Sequence, residues 1–135
     1  MTTILVGTDT SAAADLAVED AARLARERGA ELLLLYVRGE GADRAVVDPD
    51  RAADPAAHLR RLAARLPGIT AAARIEHGDA AERICEVAAE VQAETIVLGN
   101  RGTQGSWWRV RDSVPNLVLR HAPCSVYIVD TRAAQ

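Results

Sequence analysis

Lysine is absent from this chain of 135 residues, and all sixteen basic residues are arginine. A Walker-type phosphate loop needs a lysine that reaches the β- and γ-phosphates, so that class of nucleotide site is excluded. Any mechanism that depends on a lysine amine, such as Schiff-base formation, is excluded for the same reason.

Cysteine is scarce, and the common catalytic motifs are missing. Cys85 and Cys124 form no CxxC pair and lie far apart in the sequence, so we expect two reduced, partly buried thiols and no metal site. There is no GxSxG, HExxH or DxDxDG pattern. His58, His77 and His121 fall at the ends of predicted elements, with His58 expected to face solvent, so catalysis is not indicated.

Excess charge of either sign and long apolar runs are also lacking. The net charge is −3 with a pI near 5.6, which gives no electrostatic reason to bind nucleic acid. No apolar run reaches the length of a membrane span, and the N-terminus does not resemble a signal peptide. The chain is therefore predicted to be one soluble cytoplasmic domain, residues 1–135, with no membrane partner.

Short apolar segments alternate with segments of helical periodicity. The strands are predicted at Ile4–Gly7, Glu31–Val37, Ile69–Ile75, Thr95–Leu98 and Ser125–Val129. Helices should follow the polar segment 8–11, Asp54, Asp79 and Ser113, residues that can cap a helix, and residues 38–54 read as a loop. This alternation is typical of an α/β fold, a Rossmann-like doubly wound sheet of five parallel strands with helices on both faces.

The segment from Thr95 to Ser113 carries the clearest functional pattern. Its strand ends at Gly99 and is followed by a glycine-containing loop, and Ser113 with Pro115 then starts a helix. Glycines let backbone N–H groups approach a phosphate, and a helix N-terminus favours negative charge, so the segment suggests an anion site. The alternative is that these glycines only form turns.

Three stretches of the C-terminal third, VLGNRGTQG, DSV and LRHAPCSV, resemble the signature of the universal stress protein family. The nucleotide-binding branch of that family carries Gly, two residues, Gly, nine residues, then Gly and Ser or Thr. The matching positions here are Gly99, Gly102, Asp112 and Ser113. An aspartate therefore stands where the family pattern has its third glycine.

The resemblance supports the strand order 3-2-1-4-5, which places a topological switch point between the first and fourth strands. Ligands of open parallel sheets bind at such points. The flanking segments would be Gly7-Thr8-Asp9 and Leu98-Gly99. By resemblance, the ligand is ATP or another adenine nucleotide, with or without Mg²⁺, and any hydrolysis of it should be slow.

The resemblance also implies a role for each matching residue. Asp9 would contact the ribose or base side, and the Val37 backbone would meet adenine. Gly99 and Gly102 would admit the phosphates, with the amides of Ser113 and Val114 completing the site. Two alternatives stay open, namely that Asp9 is a helix cap and that Val37 is only a core residue.

Two functions from different classes fit these observations. One is a nucleotide-binding module in stress response or signalling, with reduced affinity because of Asp112. The other is a family member without nucleotide that acts as a dimeric scaffold. A flavoprotein-like or pyrophosphatase-like member of the wider fold is a weaker third reading.

Two features point to protein partners. The strand Val126–Val129 is apolar yet lies at a predicted sheet edge, so we expect a homodimer through it, besides an unknown protein partner. Trp107 and Trp108 are half of the four aromatic residues and adjoin in a loop. Either one ring packs on the domain, or the pair covers the ligand or a partner surface.

Overall fold

The computed structural model describes residues 2–39, 52–100 and 113–131, which form five strands and four helices in strict alternation. The order is β1 (Thr3–Gly7), α1 (Ala12–Arg28), β2 (Glu31–Arg38), α2 (Pro55–Arg65), β3 (Ala71–His77), α3 (Ala80–Glu90), β4 (Ala93–Gly99), α4 (Val114–His121) and β5 (Ser125–Val129).

All strand pairs are parallel, and the sheet order is β3-β2-β1-β4-β5. The predicted α/β doubly wound fold and its strand order are confirmed. Strand β1 lies at the centre, with β2 and then β3 on one side and β4 and then β5 on the other. The carboxyl ends of β1 and β4 therefore adjoin at the switch point.

The core consists of two layers, one on each face of the sheet. Alternate strand residues point to opposite faces, so Ile4 and Val6 pack with α1 and α2 while Leu5 packs with α3 and α4. All three side chains are fully buried. This two-sided burial explains why the central strands read as continuous apolar runs.

The helix starts are set by local side-chain hydrogen bonds, and all four helices are capped at the predicted residue or within the predicted segment. Asp54, Asp79 and Ser113 each accept a bond from the backbone N–H three residues on. In the segment 8–11, the cap of α1 is Ser11, whose Oγ accepts from the Ala14 N–H at 3.1 Å. The alternative that Asp9 is the cap is therefore wrong.

Two local expectations also need correction. Strand β3 starts at Ala71 and includes His77, because its ladder with β2 runs from Leu32↔Ala71 to Arg38↔His77. Side-chain alternation reports the buried face of a strand but not where its ladder begins. His58 is not simply solvent-exposed, since only 21% of its side chain is accessible and its Nε2 lies 3.1 Å from Asp15 Oδ1.

Several features named from the sequence lie outside the described residues: most of the predicted loop 38–54, Gly102, Trp107, Trp108 and Asp112. Among residues 2–39, 52–100 and 113–131, no helix has the length and apolar character that crossing a bilayer requires. Within the same ranges, no group of three or more His, Cys, Asp or Glu side chains is placed to hold a metal ion.

Candidate functional site

A cleft of about 450 Å³ opens at the carboxyl edge of the sheet, at the switch point between β1 and β4. The volume lies in the range typical of small-molecule sites. Its walls come from the ends of three neighbouring strands, represented by Gly7, Val37 and Gly99, and from the first turns of three helices. Segments that are far apart in the sequence thus meet around one space.

Most of the residues predicted for the site line this cleft. They are Gly7, Thr8, Asp9, Val37, Leu98, Gly99 and Val114. Ser113 is buried beside it, and its Oγ accepts from the Asn116 N–H at 3.4 Å, as the cap of α4. Gly102 and Asp112 lie outside the described residues, so their predicted contacts stay predictions.

The turn between β1 and α1 is held in shape by its own side chains. Thr8 Oγ1 accepts from the Thr10 N–H at 3.0 Å, and Asp9 Oδ1 accepts from the Ser11 N–H at 2.9 Å. Thr10 has a φ of +70°, which is unusual for a β-branched residue. Its Oγ1 accepts from the Ala52 N–H at 3.0 Å, so the turn is also fastened to the chain that precedes α2. Asp9 is thereby presented to the cleft on a firmly bonded turn.

Three helix N-termini face the same space. Ala13 and Ala14 belong to the first turn of α1, Ala80 starts α3, and Val114 starts α4. The first N–H groups of a helix lack intrahelical partners and carry a partial positive charge. The Ala14 N–H already donates to Ser11 Oγ, but the partial positive charge of the three helix N-termini still favours an anionic group in the cleft.

The remaining surface is mainly apolar. Leu35, Ile84 and Leu98 contribute side chains to it, together with Tyr36 and Val37 at the end of β2. Asp9 is the only charged residue among the described lining residues. An apolar wall beside a carboxylate and three helix N-termini suits a ligand with a flat apolar part, hydroxyl groups and an anionic group.

Both predicted glycines at strand ends have a packing reason for lacking a side chain. A Cβ on Gly7 would lie 2.8 Å from Leu98 Cδ2, and one on Gly99 would lie 3.0 Å from Thr131 Cγ2. No such contact is comfortable in a packed protein. A side chain at Gly99 would press on Thr131, so glycine suits the local packing as well as an approaching ligand.

Sequence reasoning missed part of the lining. The missed residues are Ala13, Ala14, Leu35, Tyr36, Gly39, Ala80, Ile84, Pro115 and Thr131. Most adjoin a predicted element end, so the rule that ligands bind at the carboxyl ends of strands could have found them. Thr131 also follows the carboxyl end of a strand, but that strand is the edge strand β5, which does not border the predicted switch point.

The structure is a doubly wound α/β domain with a cleft of small-molecule size at its switch point. The family model of the universal stress protein family matches residues 1–130. The chain belongs to that family.

Solved structures agree with this assignment. A universal stress protein in complex with cAMP is 27% identical, with a TM-score of 0.79, over 96% of this chain and 97% of that one. UspA from Lactobacillus plantarum is 30% identical, with a TM-score of 0.75, over 95% and 97%. The universal stress protein from Archaeoglobus fulgidus in complex with dAMP is 22% identical, with a TM-score of 0.71, over 95% of this chain and 97% of that one. At this identity, the comparison shows a shared fold alone. A comparison with curated proteins gave no match.

Proposed function

We propose that this chain binds an adenine nucleotide in the switch-point cleft and acts as a stress-response or signalling module. The carrying observation is the cleft itself, which combines apolar strand ends, the Asp9 turn and three helix N-termini. The 27% identical relative in complex with cAMP supports an adenine nucleotide over other ligands with the same chemistry.

In the proposed complex, adenine lies against the end of β2, where Val37 offers backbone groups and Tyr36 and Ile84 offer apolar surface. The carboxylate of Asp9 accepts a hydrogen bond from the ribose hydroxyls. The phosphate lies toward Gly99 and the N-terminus of α4, where the helix dipole favours its charge. Catalysis forms no part of the proposal beyond slow hydrolysis of bound ATP.

Asp112 is the point at which the chain departs from the family pattern. If the aspartate takes up the position of the family glycine at about 5 Å from a phosphate, repulsion costs about 3 kcal/mol at an effective dielectric of about 20. Bound Mg²⁺ could make the carboxylate a ligand, and Arg101, Arg109 and Arg111 are close in sequence. Nucleotide binding is therefore proposed to persist, weakened and more dependent on Mg²⁺.

Two measurements test the proposal. Mass spectrometry of small molecules released by denaturing the purified protein identifies any nucleotide carried through purification. Calorimetric titration of ATP and AMP, with and without Mg²⁺, into the native chain and Asp112→Gly then measures affinity. We expect tighter ATP binding by Asp112→Gly and little change for AMP. No binding by either protein rejects the proposal in favour of the dimeric scaffold.

A further inference from the structure

The end of strand β5 is bonded directly to the cleft wall. Beyond the last ladder pair, Gly99↔Val129, the Asn100 N–H donates to the Val129 carbonyl at 3.0 Å. The Asn100 side chain then accepts at Oδ1 from both the N–H and the hydroxyl of Thr131, each at 3.1 Å. Asn100 thus extends the β4–β5 pairing by side-chain bonds after the regular ladder has ended.

Thr131 is unusual for a polar residue in a chain tail. It is fully buried, it lines the cleft, and its Cγ2 fills the space above Gly99. A buried hydroxyl needs a partner, and Asn100 Oδ1 accepts from it. The pair of Asn100 and Thr131 therefore connects an outer strand of the sheet to the residue where the glycine-containing segment begins.

We propose that Asn100 and Thr131 are positioning residues. Their hydrogen bonds hold the cleft wall at Gly99 and the end of β5 in a fixed relative position. This inference rests on the proposed function in one respect, that the phosphate of the ligand lies on the Gly99 side. Its consequence is that affinity for a phosphate-bearing ligand depends on the pair, whereas affinity for a nucleoside does not. Since coupling between sites is reciprocal, a ligand bound in the cleft also stabilises the pairing of the end of strand β5 with β4.

The affinity test uses AMP and adenosine as probes and three single variants. Asn100→Ala removes the shared acceptor, and Thr131→Val removes one hydroxyl while keeping the shape. Thr95→Val is the matched control, because Thr95 is also a buried threonine of this strand pair but lies at the opposite end of β4. Loss of one or two hydrogen bonds should weaken AMP binding by about five- to tenfold in the first two variants. Adenosine binding, and both affinities of the control, should stay unchanged.

A second readout needs no ligand. Amide hydrogen exchange of the unliganded protein should quicken in Asn100→Ala both at residues 99–100 and at residues 129–131, while Thr95→Val leaves both sets unchanged. Thr131→Ser, which keeps the hydroxyl, should behave like the native chain at these amides.

The outcomes separate the two proposals. Suppose that the native chain binds AMP, and that Asn100→Ala either weakens the binding of AMP and adenosine equally or weakens the binding of neither. The positioning role of Asn100 and Thr131 is then overturned, and the proposed function stands. If the native chain binds no nucleotide, the proposed function fails. The positioning role of Asn100 and Thr131 is then tested by amide hydrogen exchange alone. Quickening at both sets of amides then supports it, and quickening at only one set, or at neither, overturns it.

Discussion

Gly99 illustrates how a single residue can satisfy two constraints. Its place in the family pattern suggests access for a phosphate, but the structure adds a reason that involves no ligand. A Cβ at this position would meet Thr131 Cγ2 at 3.0 Å and Ala17 Cβ at 3.6 Å. The shorter contact leaves no room for a methyl group unless Thr131 moves.

Gly99→Ala is predicted to lower the free energy of unfolding by about 1 kcal/mol, the lower end of the cost of overpacking. Thr131→Ser removes the methyl group that the new Cβ would meet and keeps the hydroxyl. The double variant should therefore regain most of the lost stability, as measured by urea denaturation in a double-mutant cycle. Additive losses would show that packing on Thr131 is not the constraint.

The two cysteines are predicted to be slow nucleophiles. Burial raises the pKa of the Cys85 thiol, with the nearby Cys124 as a second cause, and burial also raises the pKa of Cys124. The thiolate is the reactive form, so its fraction at neutral pH is small. Both thiols are free.

Iodoacetamide at pH 7.5 should alkylate each thiol more slowly in the folded chain than in the same chain unfolded in urea. Cys85→Ser and Cys124→Ser make the two rates separately measurable. A folded-state rate equal to the unfolded one, at either cysteine, would contradict the assigned environments.

At the scale of elements, the two edges of the sheet differ in how they meet solvent. Edge strand β3 carries Arg74 and Glu76, which form a network with α3. Arg74 contacts Glu76 at 2.7 Å and Glu90 at 2.6 Å, and Arg83 also pairs with Glu76. Charged side chains on an edge strand disfavour pairing with another chain. Edge strand β5, Ser125–Val129, has no charged residue.

The β3 network predicts a pH dependence of stability. The guanidinium of Arg83, followed by that of Arg74, holds the pKa of Glu76 below its usual value. A carboxyl whose pKa is lowered on folding stabilises the fold above its unfolded pKa, about 4.3. That contribution is lost as the pH falls below about 4, through the folded pKa.

Urea denaturation between pH 7 and pH 3 should show a shallower loss of stability for Glu76→Gln than for the native chain. Glu86→Gln is the control, because Glu86 contacts the same Arg83 but is 58% exposed, so its ion pair contributes little. Identical pH profiles for the native chain and Glu76→Gln would show that the Glu76 ion pairs do not contribute to the loss of stability at low pH.

At the scale of the whole molecule, the uncharged β5 edge supports the proposed homodimer. Tyr127 at its centre is 37% exposed, and Leu119 on the adjoining α4 is 53% exposed. The Tyr127 hydroxyl donates to Asp20 Oδ2 at 2.7 Å, which raises the Tyr127 pKa and holds the side chain on α1. A second copy pairing through the same strand would cover this edge in an isologous contact.

We predict a dimer at micromolar concentration by sedimentation velocity. Tyr127→Lys should shift it to monomer, because the two-fold axis would bring two lysines together at the centre of the interface. Ala72→Lys, an exposed position on the opposite edge strand, should leave the dimer intact. A native chain that sediments as a monomer, or equal effects of the two lysines, would rule out this interface.

The sequence by itself determined the type and order of the elements, because apolar periodicity and helix caps such as Asp54 and Ser113 act within a few residues of the chain. It also identified seven of the sixteen described residues that line the cleft, since a parallel α/β sheet directs ligands to the carboxyl ends of its strands. Only the tertiary structure decided which distant residues meet. The Asp15 contact of His58, the missed cleft residue Thr131 and its bonds to Asn100 depend on register and packing between remote segments, which no local pattern encodes.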